Sequence, residues 1–167
     1  MKETLTHIYF LKSYFSNFHK CDITIEISKG VDHTFKNSEQ LFMYFKARYF
    51  KDQQIAVEIL RTEEPWEAKK LGRMVRNYKD EEWNAVRYHL MYQANFFKYS
   101  QNKYLKDKLL ATGNKILVEC NPTDLIWAVG LSEDDPKVLD EANWRGQNLL
   151  GKVLMDVRAS LNNEKFL

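Results

Sequence analysis

The sequence predicts an α+β fold, a mainly helical chain with a small, mostly antiparallel sheet. Three observations carry this expectation. Residues 22–28 alternate strictly, with Ile23, Ile25 and Ile27 on one side and Asp22, Thr24, Glu26 and Ser28 on the other. From residue 38 onward most apolar residues recur at helical rather than alternating spacing. The three prolines and six glycines in 167 residues are too scattered to mark a linker, so residues 1–167 are expected to form a single domain.

The elements follow in chain order. The apolar run 8–11 reads as a first strand, and residues 13–19 follow as an aromatic loop without a period. The alternating run 22–28 turns at Lys29-Gly30 and resumes with Val31, His33 and Phe35, which is a hairpin with one face on the core. Asn37 is a good N-cap and Gln40 stands three residues on, a capping-box pattern that opens a helix over 38–50. A second helix is expected over 54–60. A third begins after Thr62, with Pro65 in its first turn, and ends near Val75. Residues 81–99 form a long helix with Trp83, Val86, Leu90, Ala94 and Phe97 at helical spacing. Another spans 103–111, stopped by Thr112-Gly113. Short strands are expected at 115–119 and 125–129, a polar acidic loop at 133–141, and a closing helix at 148–161 that buries Leu150, Val153, Leu154, Val157 and Leu161.

Composition narrows the function. An apolar fraction of 44% with 14% aromatic residues belongs to a globular protein. A formal charge of +2 argues against a dedicated polyanion binder but allows a local basic pocket. Cys21 and Cys120 lie far apart in no metal-like or redox-like pairing and read as reduced thiols of a reducing compartment. Lys2, Glu3 and His7 interrupt the start, no small-residue cleavage site follows, and no run reaches the roughly 18 apolar residues of a membrane span. A cytoplasmic protein without membrane attachment is expected. The histidines at 7, 19, 33 and 89 show no metal-ligand spacing, and neither a nucleophile elbow nor a glycine-rich phosphate loop occurs.

The remaining inventory is carboxylate, amide, arginine and tryptophan. From Glu39, the residues Phe42, Met43, Lys46 and Phe50 follow on one helical face, so two charges interrupt a mainly apolar stripe. Glu39 also sits in the first turn, where the helix dipole favours an anion. It reads either as a dipole complement, with Lys46 reaching to water, or as a fixed carboxylate suited to a base or a stabiliser of a sugar cation. Asp124 lies in the turn Asn121-Pro122-Thr123-Asp124 and is either a turn-former or a catalytic group. Trp127 is either core or a stacking wall for a base. Residues 143–151 form a polar, glycine-containing turn opening a helix, where backbone N–H groups beside Arg145 resemble a phosphate seat. Gly151 inside that helix costs about 1 kcal/mol relative to alanine and points to close approach of a neighbour or ligand.

Read together, several segments resemble the NADAR family, named for its association with NAD and ADP-ribose, which includes the YbiA-like N-glycosidases. They are Phe15-Ser16-Asn17-Phe18, Asn37-Ser38-Glu39, Lys46, and Ala68-Lys69-Lys70-Leu71-Gly72-Arg73. The later part resembles it in Lys98-Tyr99-Ser100-Gln101-Asn102, Leu109-Leu110-Ala111-Thr112-Gly113, Asp124-Leu125-Ile126-Trp127, and Gly146-Gln147-Asn148-Leu149-Leu150-Gly151 with Leu154-Met155 and Arg158. These segments run in the family's order over residues 10–161.

The resemblance implies an enzyme that hydrolyses an N-glycosidic bond at ribose without metal or organic cofactor. Its implied substrates are phosphorylated ribosylaminopyrimidines of the riboflavin pathway or ADP-ribosylated guanine, the second bringing transient contact with nucleic acid. Glu39 matches the family's catalytic glutamate. Asn17, Phe18, Lys46, Arg73, Asp124, Trp127 and Asn148 match pocket positions, and Arg145 joins them as a phosphate contact. Asp124 either holds a ribose hydroxyl or protonates the leaving nitrogen. Gln40 replaces a common histidine, Met43 a common glutamine, and Trp127-Ala128 the usual Trp-Gly, departures that bear on substrate choice. The alternative is a binding module that holds ADP-ribose or a nucleotide without cleaving it.

Overall fold

The computed structural model describes residues 1–163. In chain order it contains β1 (Lys2–Glu3), β2 (His7–Phe10), β3 (Ile23–Ser28), β4 (Val31–Phe35), α1 (Ser38–Tyr49), α2 (Gln53–Arg61), α3 (Pro65–Arg73), α4 (Asp80–Gln101), α5 (Lys103–Leu110), β5 (Ile116–Glu119) and α6 (Leu149–Asn163). Short 3-10 turns occupy Pro136–Leu139 and Glu141–Asn143, where the sequence reads only as acidic loop. Helix dominates, as the α+β reading expects.

Two compact units make up the chain. One combines Met1–Ser16 with Tyr104–Leu167, and the other is Asn17–Lys103. The strands form two sheets rather than one. In the first unit β2 is central, antiparallel to β1 and parallel to β5. In the second, β3 and β4 pair alone as the expected antiparallel hairpin, with a register irregularity between Glu26 and Ser28. The two-residue β1 is too short for any periodicity to announce it.

In the unit Asn17–Lys103, α1 packs against α2, α3 and α4, and α4 also meets β3. Every residue from Ser38 to Tyr44 is buried, so α1 is a core helix rather than an amphipathic surface helix. Its start is fixed by Asn37, whose side chain accepts the Gln40 N–H at 2.8 Å. The reciprocal half of the capping box is different here. Gln40 Oε1 takes the Lys36 N–H at 2.8 Å, while its amide donates to the carbonyls of Ile59 and Thr62 at the end of α2. Asp52 caps α2 through the Ile55 N–H and is gripped by Arg76, which holds its carboxyl far below the usual carboxylate range.

Helix α4 departs from its expected orientation. Trp83 and Ala94 are buried as predicted, but Val86, Leu90 and Phe97 are only half-buried, and the fully covered face carries Met91, Asn95 and Lys98 instead. Hydrophobicity points to the wrong stripe because the inward stripe of this helix is partly polar.

In the other unit, Tyr9, Val118, Cys120, Val129, Leu131 and Val138 form a core cluster, with Ile116 and Trp144 packed on it. Residues 125–129 are not a strand. Their backbone is paired irregularly with the turn before α6: Gln147 N–H donates to Leu125, Leu149 to Ile126, Leu150 to Trp127, Asn148 to Ala128, and both Arg145 and Gly146 to Val129. An apolar run of five residues looks like a strand in sequence, yet here its carbonyls serve a turn some twenty residues on. Helix α6 lies on β5 and buries all five residues expected of it. Among the described residues no helix is long and apolar enough to cross a membrane.

Candidate active site

The candidate residues divide between the units. Asn17, Phe18, Glu39, Lys46 and Arg73 belong to one, and Asp124, Trp127, Arg145 and Asn148 to the other.

Glu39 is in the first turn of α1 and only 6% exposed, so it is a covered carboxylate rather than a solvent-facing dipole complement. Its backbone N–H donates to the Asn17 carbonyl at 3.1 Å, tying the helix start to the aromatic loop. The Asn17 side chain is itself held there. Its Oδ1 accepts from Ser38 Oγ and from Asn95 Nδ2, each at 3.1 Å, while its own amide is directed at the Met91 sulfur. Phe18, the next residue, is 41% exposed, and the Lys69 ammonium lies 5.8 Å from its ring centre.

Lys46 follows Glu39 by two helical turns. Its ammonium donates to the Gly72 carbonyl at 2.8 Å near the end of α3 and lies over the rings of Tyr78 at 4.5 Å and Trp83 at 5.3 Å. Burial, and then the neighbouring Arg73 guanidinium, hold it below the usual lysine value. A half-covered ammonium beside an exposed guanidinium can hold an anion, because a phosphate between them would relieve both the repulsion and the lost hydration. Met43 fills the space over Gly72, where any Cβ would collide with its sulfur.

Sequence reasoning missed Asn95, the role of Ser38, and the environment of Lys98. Lys98 is fully covered, and burial lowers its ammonium to about 8, an effect the nearby Cys21 thiol opposes. The signal was present: Met91, Asn95 and Lys98 recur at i, i+4 and i+7, a polar pair on one helical face.

In the second unit, Asp124 Oδ1 accepts the N–H groups of Ile126 and Trp127 at 2.9 and 2.8 Å, so one carboxylate oxygen serves the turn that presents half-buried Trp127. Arg145 is exposed and its guanidinium donates to the Gly130 carbonyl. Asn148, with φ of 52°, accepts the Glu119 N–H at 3.0 Å and donates to Leu117 at 2.9 Å, so its amide acts as an extra peptide unit along β5. The phosphate seat expected at the start of α6 is filled by the protein itself, since the Leu149 and Leu150 N–H groups bond the carbonyls of Ile126 and Trp127. Gly151 lets α6 touch the strand: a Cβ there would collide with the Leu117 carbonyl. The close approach inferred from that glycine is therefore to a neighbour in the fold. Arg158 likewise ties α6 to Thr112 and to the Lys115 carbonyl. Ala128, the third departure from the family pattern, is fully buried.

The sequence model of the NADAR domain matches residues 9–162. The chain is 39% identical over 122 residues to N-glycosidase R617 of Acanthamoeba polyphaga mimivirus, covering 73% of this chain and 72% of that protein. It is 33% identical over 166 residues to N-glycosidase Npun_R5314 of Nostoc punctiforme, covering 93% of each. The solution structure of the Escherichia coli protein YbiA matches with a TM-score of 0.76 at 30% identity, over 96% of this chain and 88% of that one.

Proposed function

The chain belongs to the NADAR domain family, and from that premise we propose that it hydrolyses the N-glycosidic bond between ribose and a base in a phosphorylated, nucleotide-like substrate. The enzyme class is that of its relatives, hydrolases of N-glycosyl compounds. The family match runs through both units, which supports reading residues 1–167 as one domain.

The observation that carries the proposal is a covered carboxylate, Glu39, on the same face of α1 as Lys46, whose ammonium is repelled by the Arg73 guanidinium at the end of α3. As the base departs, C1′ of the ribose becomes positive. A fixed carboxylate in a water-poor site stabilises that charge far more than solvent does. Glu39 also orients and deprotonates the attacking water, and the proton it takes passes to the leaving nitrogen, so the base departs neutral. Arg73 with Lys46 holds phosphate, Lys46 remaining anchored to Gly72 while it does so. In the other unit, Trp127 offers a half-buried ring of the kind that stacks on a base, and Arg145 an exposed cation of the kind that holds phosphate. Asp124 accepts a ribose hydroxyl. This assignment is preferred to proton donation because Oδ1 is already committed as an acceptor to two backbone N–H groups, which makes the carboxylate a rigid acceptor. Asn17, Phe18 and Asn148 shape the site, Asn17 through its carbonyl at the Glu39 N–H and Asn148 through β5.

The substrate is either a ribosylaminopyrimidine phosphate or ADP-ribosylated guanine. Incubation with each, followed by mass spectrometry of the released base, tests the proposal. Free base from at least one is the expected result. Binding of both without release would replace the enzyme by a nucleotide-binding module.

A further inference from the structure

Asn95 lies on α4, far in sequence from every residue of the proposed reaction, and is fully buried. Its Nδ2 donates to Asn17 Oδ1 and to the Met91 carbonyl, both at 3.1 Å. Its Oδ1 has no hydrogen-bond partner. A buried amide with one arm unpaired is a poor way to stabilise a helix interface, since a leucine, which has the same branched outline, would cover the space without stranding an acceptor. The donor arm has a definite object. Asn17 Oδ1 also receives Ser38 Oγ, and the Asn17 carbonyl receives Ser38 Oγ at 3.3 Å and the Glu39 N–H at 3.1 Å. Asn95, Asn17, Ser38 and the Glu39 backbone are thus one continuous buried network at the start of α1.

We infer that Asn95 is a positioning residue for the N-glycosidase reaction, acting through Asn17 to fix the backbone of Glu39. The inference rests on the reading of Glu39 as the catalytic carboxylate. Removing the Asn95 donor leaves the Asn17 side chain held only by Ser38 Oγ and the contact of its amide with the Met91 sulfur, so its rotamer is less firmly fixed. The loop carbonyl that receives the Glu39 N–H then loses its register, and the carboxylate loses its fixed direction. A displacement of about 1 Å at a reacting group lowers rates by as much as 100-fold. Because the charge is still present and the phosphate cations are untouched, substrate binding is largely spared.

The test uses the full chain and whichever of the two substrates it hydrolyses, with kcat, KM and thermal midpoint measured for Asn95→Leu, Asn17→Ala, their combination, and Glu39→Gln. Asn95→Leu is expected to keep or raise the midpoint, to lower kcat at least tenfold and to leave KM within about threefold. The double variant is expected to be no slower than Asn17→Ala alone, since both changes break one chain of contacts. Should Asn95→Leu fail to fold, Asn95→Ser removes the long amide with less disturbance and is read in the same way. Wild-type kcat in the folded Asn95 variant, or losses that add in the double variant, would overturn the inference. If Glu39→Gln were as active as wild type, the reading of Glu39 would fall. An inactive Glu39→Gln beside a fully active Asn95→Leu would remove the positioning role alone.

Discussion

Gln40 directly follows the proposed carboxylate, and its amide is spent on the fold. It accepts from Lys36 and donates to Ile59 and Thr62, all backbone groups of its own unit. Gln40→Ala strands those groups in the interior, where each unpaired one costs roughly 1–3 kcal/mol. We predict a loss of about 2–3 kcal/mol in urea denaturation with KM unchanged. A raised KM at intact stability would place Gln40 in the substrate pocket instead. The same physics explains which single residues were legible in the sequence. Glu39 stood out because a charge interrupts an apolar helical stripe, yet the pattern fits a dipole complement equally well, and only burial separates the two. Asn148 and Asp124 were conspicuous for a different reason: their side chains imitate the peptide group, and asparagine and aspartate look alike in sequence whether they bond a ligand or a nearby strand. Asn95 went unread because its helical pairing with Lys98 looks like a solvated face until the covered side of α4 is known.

At the scale of elements, the closing signature from Gly146 to Gly151 is a docking device. Asn148 extends β5 by one peptide-like unit, Gly146 and Gly151 admit backbone at close range, and Arg158 fastens the middle of α6. Alanine is the better helix former by about 1 kcal/mol, yet at position 151 its methyl group would meet the Leu117 carbonyl and the Asn148 amide. Overpacking of this kind typically costs about 1–3 kcal/mol. We therefore predict net destabilisation of Gly151→Ala by up to about 2 kcal/mol in urea denaturation. Equal or greater stability than wild type would show that α6 does not depend on this contact. Local patterning was a good guide where an element contained its own reasons. The hairpin followed from strict alternation around Lys29-Gly30, α3 from its early proline, and α6 from its apolar face. It failed at residues 125–129, whose partners are distant in the chain, and on α4, whose covered face is polar.

At the scale of the whole molecule, the sequence reading captured the helical majority and the order of the elements, but not the separation of the strands into two sheets or the return of both chain ends to one unit. Such pairings depend on contacts between residues more than a hundred positions apart, as in the parallel pairing of β2 with β5. The candidate residues fall in both units for the same reason. The functional account nevertheless depends on one group: the negative charge of Glu39 must stabilise the ribose carbon as the base leaves. Glu39→Gln keeps the shape and hydrogen-bonding reach of the side chain and removes only that charge. With the hydrolysed substrate, calorimetric binding should stay within a few-fold of wild type while single-turnover base release falls by at least roughly 1,000-fold, the scale of losing a principal electrostatic stabiliser. Near-normal base release by Glu39→Gln would contradict the account.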